Sequence, residues 1–314
     1  MRIVFMCTPE FAVPSLKALL RSEHRVVGVV TQPDRPKGRG QELAASPIKQ
    51  LALQSNIPIL QPLKMKDPAF LDALATWKPD LIAVAAFGRI LPKIILDLPP
   101  RGCINVHASL LPKYRGAGPI QWALIKGERE TGITTMLMDE GMDTGAILLQ
   151  EKTPIAPDDT AGTLSVKLAE VGGRLLVTTL AGLLDGTVTP QPQDGSLATM
   201  APLLKKEDGL LEWTQPASEL ANRVRGLTPW PGAYTYANDE RWTIWRAAVS
   251  GETGGAGAPG TVQRATKDAL LVSTGRGLLA ITELQPANSR RMTAAQYLAG
   301  HPVPPGLMLG KRDG

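Results

Sequence analysis

The sequence predicts an α/β protein: a mostly parallel sheet flanked by helices, followed by a smaller all-β barrel. Three observations predict it. The Val/Ile runs of the first half are continuous rather than alternating, as strands buried on both faces require. These runs alternate with helical patterns, which is how parallel strands are joined. Past about residue 207 the texture changes to short runs (RWTIWRAAV, GTVQRA, ALLVSTG, GLLAITELQP) divided by turn residues, the pattern of a small barrel.

The elements follow in order. Residues 2–7 (RIVFMC) read as a buried strand, and residues 10–21 as a helix whose Phe11, Leu16, Leu19 and Leu20 face a core. Residues 25–31 (RVVGVVT) form a second strand, 46–55 a helix, 57–60 a short strand and 67–77 another helix. Residues 80–86 (DLIAVAA) and 102–107 (GCINVH) are further strands. Residues 132–150 read as strand–turn–strand, and a long helix covers about 160–184. The Pro-, Gly- and polar-rich stretch that follows reads as a linker. The 314 residues thus divide into a domain over 1–186, a linker over 187–206 and a domain over 207–314. Parallel sheets bind ligands beyond the carboxyl ends of their strands, which directs attention to the chain after residues 7, 31, 86 and 107.

Composition narrows the class of function. With 43% hydrophobic and 20% charged residues the chain is expected to be globular rather than disordered. The net charge of +5 is spread over both halves, so it permits nucleic-acid binding without demanding it. Cys7 and Cys103 sit in apolar runs and lack zinc-ligand spacing; they read as small core residues in a reducing compartment. No apolar run reaches the roughly 18–20 residues that span a bilayer, and the start MRIVFMCTPEF lacks a signal-peptide core. A cytoplasmic protein with no membrane partner is expected.

The stretch GCINVHASLLPKYRGAGPIQWAL (102–124) carries the first chemistry. Side chains alternate along a strand, so Asn105 and His107 project from one face at its carboxyl end. An amide there can donate to a developing oxyanion, and an imidazole can transfer a proton near neutral pH. A lone histidine is often only structural; beside Asn105 and before the SLLP turn, the catalytic reading prevails. In MDEGMDTGAIL (138–148), Asp143 is either a turn former or a carboxylate that orients His107. In TQPDRPKGRGQELAASPIK (31–49), three prolines discourage regular structure while Arg35, Lys37 and Arg39 concentrate positive charge. That stretch is either a solvated loop or a basic arm that orders on a polyanion such as an RNA acceptor stem. A phosphate loop, a G-x-G-x-x-G turn after the first strand, a G-x-S-x-G elbow and His/Cys metal spacing are missing, which points to direct transfer between two bound substrates.

Asn105-Val106-His107, Ser109-Leu110-Leu111-Pro112, Tyr114-Arg115-Gly116 and Gly141-Met142-Asp143-Thr144-Gly145 resemble the folate-dependent formyltransferase superfamily. Three further features are similar to its methionyl-tRNA branch: the opening Thr8-Pro9-Glu10-Phe11; Gln32-Pro33-Asp34-Arg35-Pro36 running on to Gly38-Arg39-Gly40; and Arg225-Gly226-Leu227-Thr228-Pro229-Trp230-Pro231-Gly232-Ala233. The match departs at Cys7 and Ala108, where the family usually has Gly, which bears on pocket shape rather than on the reaction.

The resemblance implies a Rossmann-like catalytic domain and a C-terminal barrel of the oligonucleotide-binding (OB) type. It implies Asn105, His107 and Asp143 as the catalytic set. The formyl donor would be 10-formyltetrahydrofolate, held near Phe87, Gly88, Arg89 and Leu91, by Ser109, Leu110, Leu111 and Pro112, and by the turn carrying Asp139 and Gly141. The acceptor would be initiator Met-tRNA, giving N-formylmethionyl-tRNA. Arg35, Lys37 and Arg39, with Arg223, Arg225 and Arg246 of the C-terminal domain, are the candidate tRNA contacts. A monomer without a metal is expected. The alternatives are a formyltransferase acting on a small amine, a hydrolase of the same carrier, and a non-catalytic RNA-binding protein. The first two would share the Asn/His/Asp set; the basic arm and the second domain argue against a small acceptor.

Overall fold

Every side chain from Ile3 to Cys7 is apolar and buried, so a strand there must be covered on both faces. The computed structural model describes residues 1–37, 42–252 and 257–311, with backbone only at 35–37 and 42–43. In it that strand is β1 (Arg2–Cys7), within the first of two compact units.

The first unit comprises residues 1–119, 130–154 and 165–202. After β1 come α1 (Val13–Arg21), β2 (Arg25–Val30), β3 (Arg35–Lys37), β4 (Glu42–Ala44), α2 (Pro47–Gln54) and β5 (Ile59–Leu60). Next are α3 (Pro68–Thr76), β6 (Leu81–Ala85), α4 (Lys93–Leu96) and β7 (Cys103–His107). α5 (Pro119–Ile125) falls almost wholly in the second unit; β8 (Glu130–Leu137), β9 (Ile147–Pro154) and most of α6 (Ala161–Asp185) return to the first. Both α2 and α3 open on proline, and the side chains of Ser46 and Asp67 cap them by accepting from the Lys49 and Ala69 N–H groups.

The main sheet has the order β5-β2-β1-β6-β7-β8-β9. The first five run parallel, while β8 and β9 are antiparallel to their neighbours. Both faces of β7 are covered. Cys103 joins a buried cluster with Ile95 and Leu96 of α4. Val106 lies so close to α6 that a β-carbon at Gly172 would come within 2.9 Å of it. Alternation then turns Asn105 and His107 to the face away from α6.

The basic stretch departs from its expected irregularity, because β3 and β4 pair as an antiparallel ribbon with Pro36 opposite Leu43. A two-stranded ribbon leaves each strand an outer edge, where the missing N–H of a proline costs nothing. The stretch 187–202, expected within the linker, is hydrogen-bonded into the first unit: Ile147 and Gln191 exchange two backbone bonds of 2.8 Å.

The second unit comprises residues 120–129, 155–164 and those from 203 onward. Past residue 207, where the sequence suggested strands only, the chain forms a helix before its first strand. α7 (Ala217–Leu227) starts at Pro216, carries Glu219 in its first turn and buries Leu220, Val224 and Leu227 along one face. β10 (Ala233–Ala237), β11 (Glu240–Val249), β12 (Val262–Ala265), β13 (Leu270–Ser273) and β14 (Leu278–Pro286) follow. β15 (Met292–Thr293), α8 (Ala294–Leu298) and β16 (Leu309–Gly310) complete the unit. The strand order is β12-β13-β14-β11-β10-β16. The two ends of that order also meet. Thr261 bridges to Met308, the Val262 N–H reaches Leu307 O and the Leu309 N–H reaches Gly260 O, both at 2.8 Å. The sheet therefore closes into a barrel around Val224, Trp242, Ile244, Leu279 and Leu284. Among the described residues no helix is long and apolar enough to cross a membrane.

Candidate active site

Three side chains meet beyond the carboxyl end of β7. His107 is buried and Asn105 half-buried on that strand; Asp143 comes from the turn joining β8 to β9. Asp143 Oδ2 lies 3.6 Å from His107 Nδ1, and the Asn105 amide donates to Asp143 Oδ1 at 3.4 Å. The firm anchor of the carboxylate is the Gly116 N–H, which donates to Oδ2 at 2.8 Å. The other ring nitrogen of His107, Nε2, lies 2.9 Å from the Tyr114 carbonyl. A carbonyl can only accept, so Nε2 carries the hydrogen and Nδ1 is left as the nitrogen that can gain or lose a proton. The sequence could name these three residues but could not show that they touch.

The turns around them are pinned by side chains that periodicity does not mark. The Thr134 hydroxyl donates to Ser109 O at 2.6 Å and accepts from the Leu111 N–H at 3.1 Å. Gln150 Nε2 bonds Leu111 O at 2.8 Å and Thr134 Oγ1 at 2.9 Å. Ser109 is fully buried and closes its hydroxyl on Lys113 O, so its side chain serves the turn. Leu111 is buried as well, Leu110 and Pro112 partly so. Asp139 caps the next turn, accepting from the Gly141 N–H at 3.0 Å and the Thr144 hydroxyl at 2.7 Å.

At the end of β6 the chain turns sharply, with left-handed backbone at Ala86 and Gly88. Phe87 and Leu91 are buried in one cluster against which Met138 packs, while Ile90 is 80% exposed. Gln32 Nε2 holds Phe87 O at 2.8 Å, and Arg89 reaches Leu63 O at 2.6 Å. Cys7 and Ala108, which stand where the family usually has Gly, are both buried. Burial pushes the Cys7 thiol up, as it does that of Cys103, which reaches about 12.

The basic candidates are not gathered in this way. Arg35 and Lys37 lie on β3, and Arg39 falls outside the described residues. Arg223 donates to Asp208 O. Arg225 is half-buried and donates to Asn222 Oδ1 at 3.0 Å and to Ala156 O at 3.4 Å; burial lowers its pKa against the pull of Asp159. Arg246 is 64% exposed, 3.7 Å from Glu283. Among the described residues no group of His, Cys, Asp and Glu could hold a metal ion.

Comparison with known proteins tests the resemblance over the whole chain. A family model described as formyl transferase matches residues 1–180, and one described as formyl transferase, C-terminal domain, matches 203–302. The chain belongs to the formyl transferase family. Among formyl transferases, it is 54% identical over 311 residues to a methionyl-tRNA formyltransferase of Pelotomaculum thermopropionicum, covering 99% of each chain. To a methionyl-tRNA formyltransferase of Geobacter sulfurreducens it is 50% identical, over 99% of this chain and 97% of the other. The solved methionyl-tRNA formyltransferase of Clostridium thermocellum shares the formyl transferase fold, with a TM-score of 0.55, 19% identity and coverage of 80% of this chain and 95% of that one.

Proposed function

We propose that this formyltransferase moves the formyl group of 10-formyltetrahydrofolate onto the α-amino group of methionyl-initiator tRNA, giving N-formylmethionyl-tRNA for translation initiation. The observation that carries the reading is the convergence of Asn105, His107 and Asp143 beyond β7. The end-to-end likeness to methionyl-tRNA formyltransferases supports the choice of acceptor.

The residues at the end of β6 fit a flat, hydrogen-bonding heterocycle. Ala86, Gly88 and Ile90 are exposed there, on a turn anchored by buried Phe87 and Leu91. With Arg89, Ser109 to Pro112, Asp139 and Gly141, they would hold the folate. When bound, the folate supplies a nitrogen-linked formyl carbon open to an amine. Asn105 donates to the oxygen that gains charge as the amine adds. His107 takes up at Nδ1 the proton lost by the amine and returns it to the carrier nitrogen as the bond from that nitrogen to the formyl carbon breaks, since its Nε2 hydrogen is tied to Tyr114. Asp143 sets a carboxylate beside that nitrogen and keeps the ring aligned.

The division of labour is catalysis by the first unit, into which residues 187–202 are bonded, and tRNA binding by the barrel that follows from residue 203. Arg35, Lys37 and Arg39 contribute charge for the acceptor stem, and Arg246 is the best placed of the barrel arginines because it is exposed. Arg223 and Arg225 contribute chiefly by supporting α7, since both guanidinium groups are engaged there. The protein works as a cytoplasmic monomer. Incubation with labelled formyl-folate and charged initiator tRNA tests the whole reading. Label should reach methionyl-tRNA and not uncharged tRNA; label released only as formate, or moved only to a small amine, overturns it.

A further inference from the structure

Asp143 has a left-handed backbone, with φ of +53°. Aspartate tolerates that conformation better than most non-glycine residues, but its surroundings still decide how firmly it is held. One side chain from outside the turn supplies much of that hold. Gln193 Nε2 donates to the carbonyl of Asp143 at 2.9 Å and to that of Gly145 at 2.7 Å. Its Oε1 in turn accepts from Arg115, at 3.2 Å from Nε and 2.7 Å from Nη2. The planar guanidinium thus fixes the amide plane, and the amide fixes two carbonyls of the turn. Arg115 directly precedes Gly116, the residue whose N–H holds the Asp143 carboxylate at 2.8 Å. Both ends of Asp143, carboxylate and carbonyl, are therefore tied to residues 115–116, once directly and once through Gln193.

The backbone of this segment is itself held. The Arg115 N–H donates to Thr199 O at 2.8 Å, and the Ala201 N–H donates to Arg115 O at 2.7 Å. These bonds lay the chain after α6 alongside residues 115–118, which brings Gln193 within reach of the turn. The circuit runs Gly116, Asp143, Gln193, Arg115 and back to Gly116, and it closes without a gap.

We infer that Gln193, held by Arg115, is a positioning residue for Asp143. It sets the backbone of the 143–145 turn so that the carboxylate faces His107. The inference rests on the proposed role of Asp143, and adds to it a dependence on the segment that follows α6.

The test uses the full chain, labelled formyl-folate and charged initiator tRNA, with kcat, KM and thermal midpoint measured for each variant. Gln193→Ala should lower kcat about tenfold, with KM for both substrates changed by less than about twofold and little change in thermal midpoint. Gln193→Glu keeps the size and the acceptor facing Arg115 but sets a carboxylate oxygen against two carbonyls, so kcat should fall further. Arg115→Ala combined with Gln193→Ala should lose no more than the worse single variant, because the two act as one unit. Asp143→Asn separates the two readings. If it keeps wild-type turnover, the catalytic assignment fails and takes the brace with it. If it loses activity while both Gln193 variants stay within about twofold of wild-type kcat, the brace alone is wrong. A loss in both Gln193 variants that follows a falling thermal midpoint, or appears in KM instead of kcat, also overturns it.

Discussion

The carboxyl end of β7 and the outer face of the barrel meet different demands, and their construction differs accordingly. Around the Asp143 carboxylate, three groups from two other segments approach within 2.8 to 3.6 Å, and the imidazole among them is buried. On the barrel, Arg246 stands 64% exposed beside Glu283, which Arg291 also contacts. Chemistry at one bond depends on direction, and a misplacement of about 1 Å can cost about a hundredfold in rate. Attraction of a polyanion needs only charge within reach, so flexible exposed side chains suffice. On the proposed function, the contrast teaches that a strand end with tight turns suits the first need and a scattered basic surface the second.

The strongest way to break the comparison is to remove the directional groups. His107→Ala should lower turnover by about 10²–10⁴, and Asn105→Ala by about 10²–10³, with folding intact. Near-wild-type formylation rates in both variants, alongside unchanged circular dichroism, would dissolve the distinction.

A milder disturbance leaves every catalytic group in place and moves only the turn. A β-carbon at Gly145 would fall 1.7 Å from Leu137 O, so the backbone must shift in Gly145→Ala. Turnover should drop by roughly 10–100-fold, more than KM changes. A Gly145→Ala protein with wild-type kcat would mean that the turn needs no such exact geometry.

Smaller effects belong to the basic residues. Arg39→Ala and Arg246→Ala should each raise KM for Met-tRNA by about 3–10-fold and reduce the slope of binding against salt by about one, leaving the donor KM unchanged. A variant that weakens donor and acceptor equally does not face RNA.

The smallest effect is a control on pH. His24 is buried and its Nδ1 lacks a hydrogen-bond partner. Burial, helped by the terminal amine and opposed by Glu23, lowers its pKa. Its neutral form is therefore the folded one: stability is full above the usual histidine value of about 6.5 and declines as pH falls through it towards the lower folded value. Urea titrations between pH 7.5 and 5 should show a flatter decline for His24→Gln than for wild type. Parallel curves would mean that His24 contributes nothing to the decline.

Much of the fold could be read before it was seen, because burial on both faces demands continuous apolar runs such as Ile3–Cys7 and Leu81–Ala85. The helix α7 escaped because short runs around it suggested strands, although Leu220, Val224 and Leu227 stand at helical spacing. Within the site, Asn105 and His107 are neighbours in sequence, so strand alternation alone pairs them. Asp143 stands 38 residues from Asn105, and only the fold brings the two together. Gln193 was hidden for a different reason: it lies among prolines and glycines that carry no periodicity, and its worth is in hydrogen bonds that no local pattern encodes.

The seam where Thr261 meets Met308 bears on how this protein can be shortened. The C-terminal family match stops at residue 302, and a chain cut there would lack Leu307, Met308 and Leu309. β10 and β12 would then each present a row of unsatisfied amides and carbonyls to water. Such open rims recruit strands from other copies, so residues 306–310 act as a guard against aggregation as much as a part of the barrel.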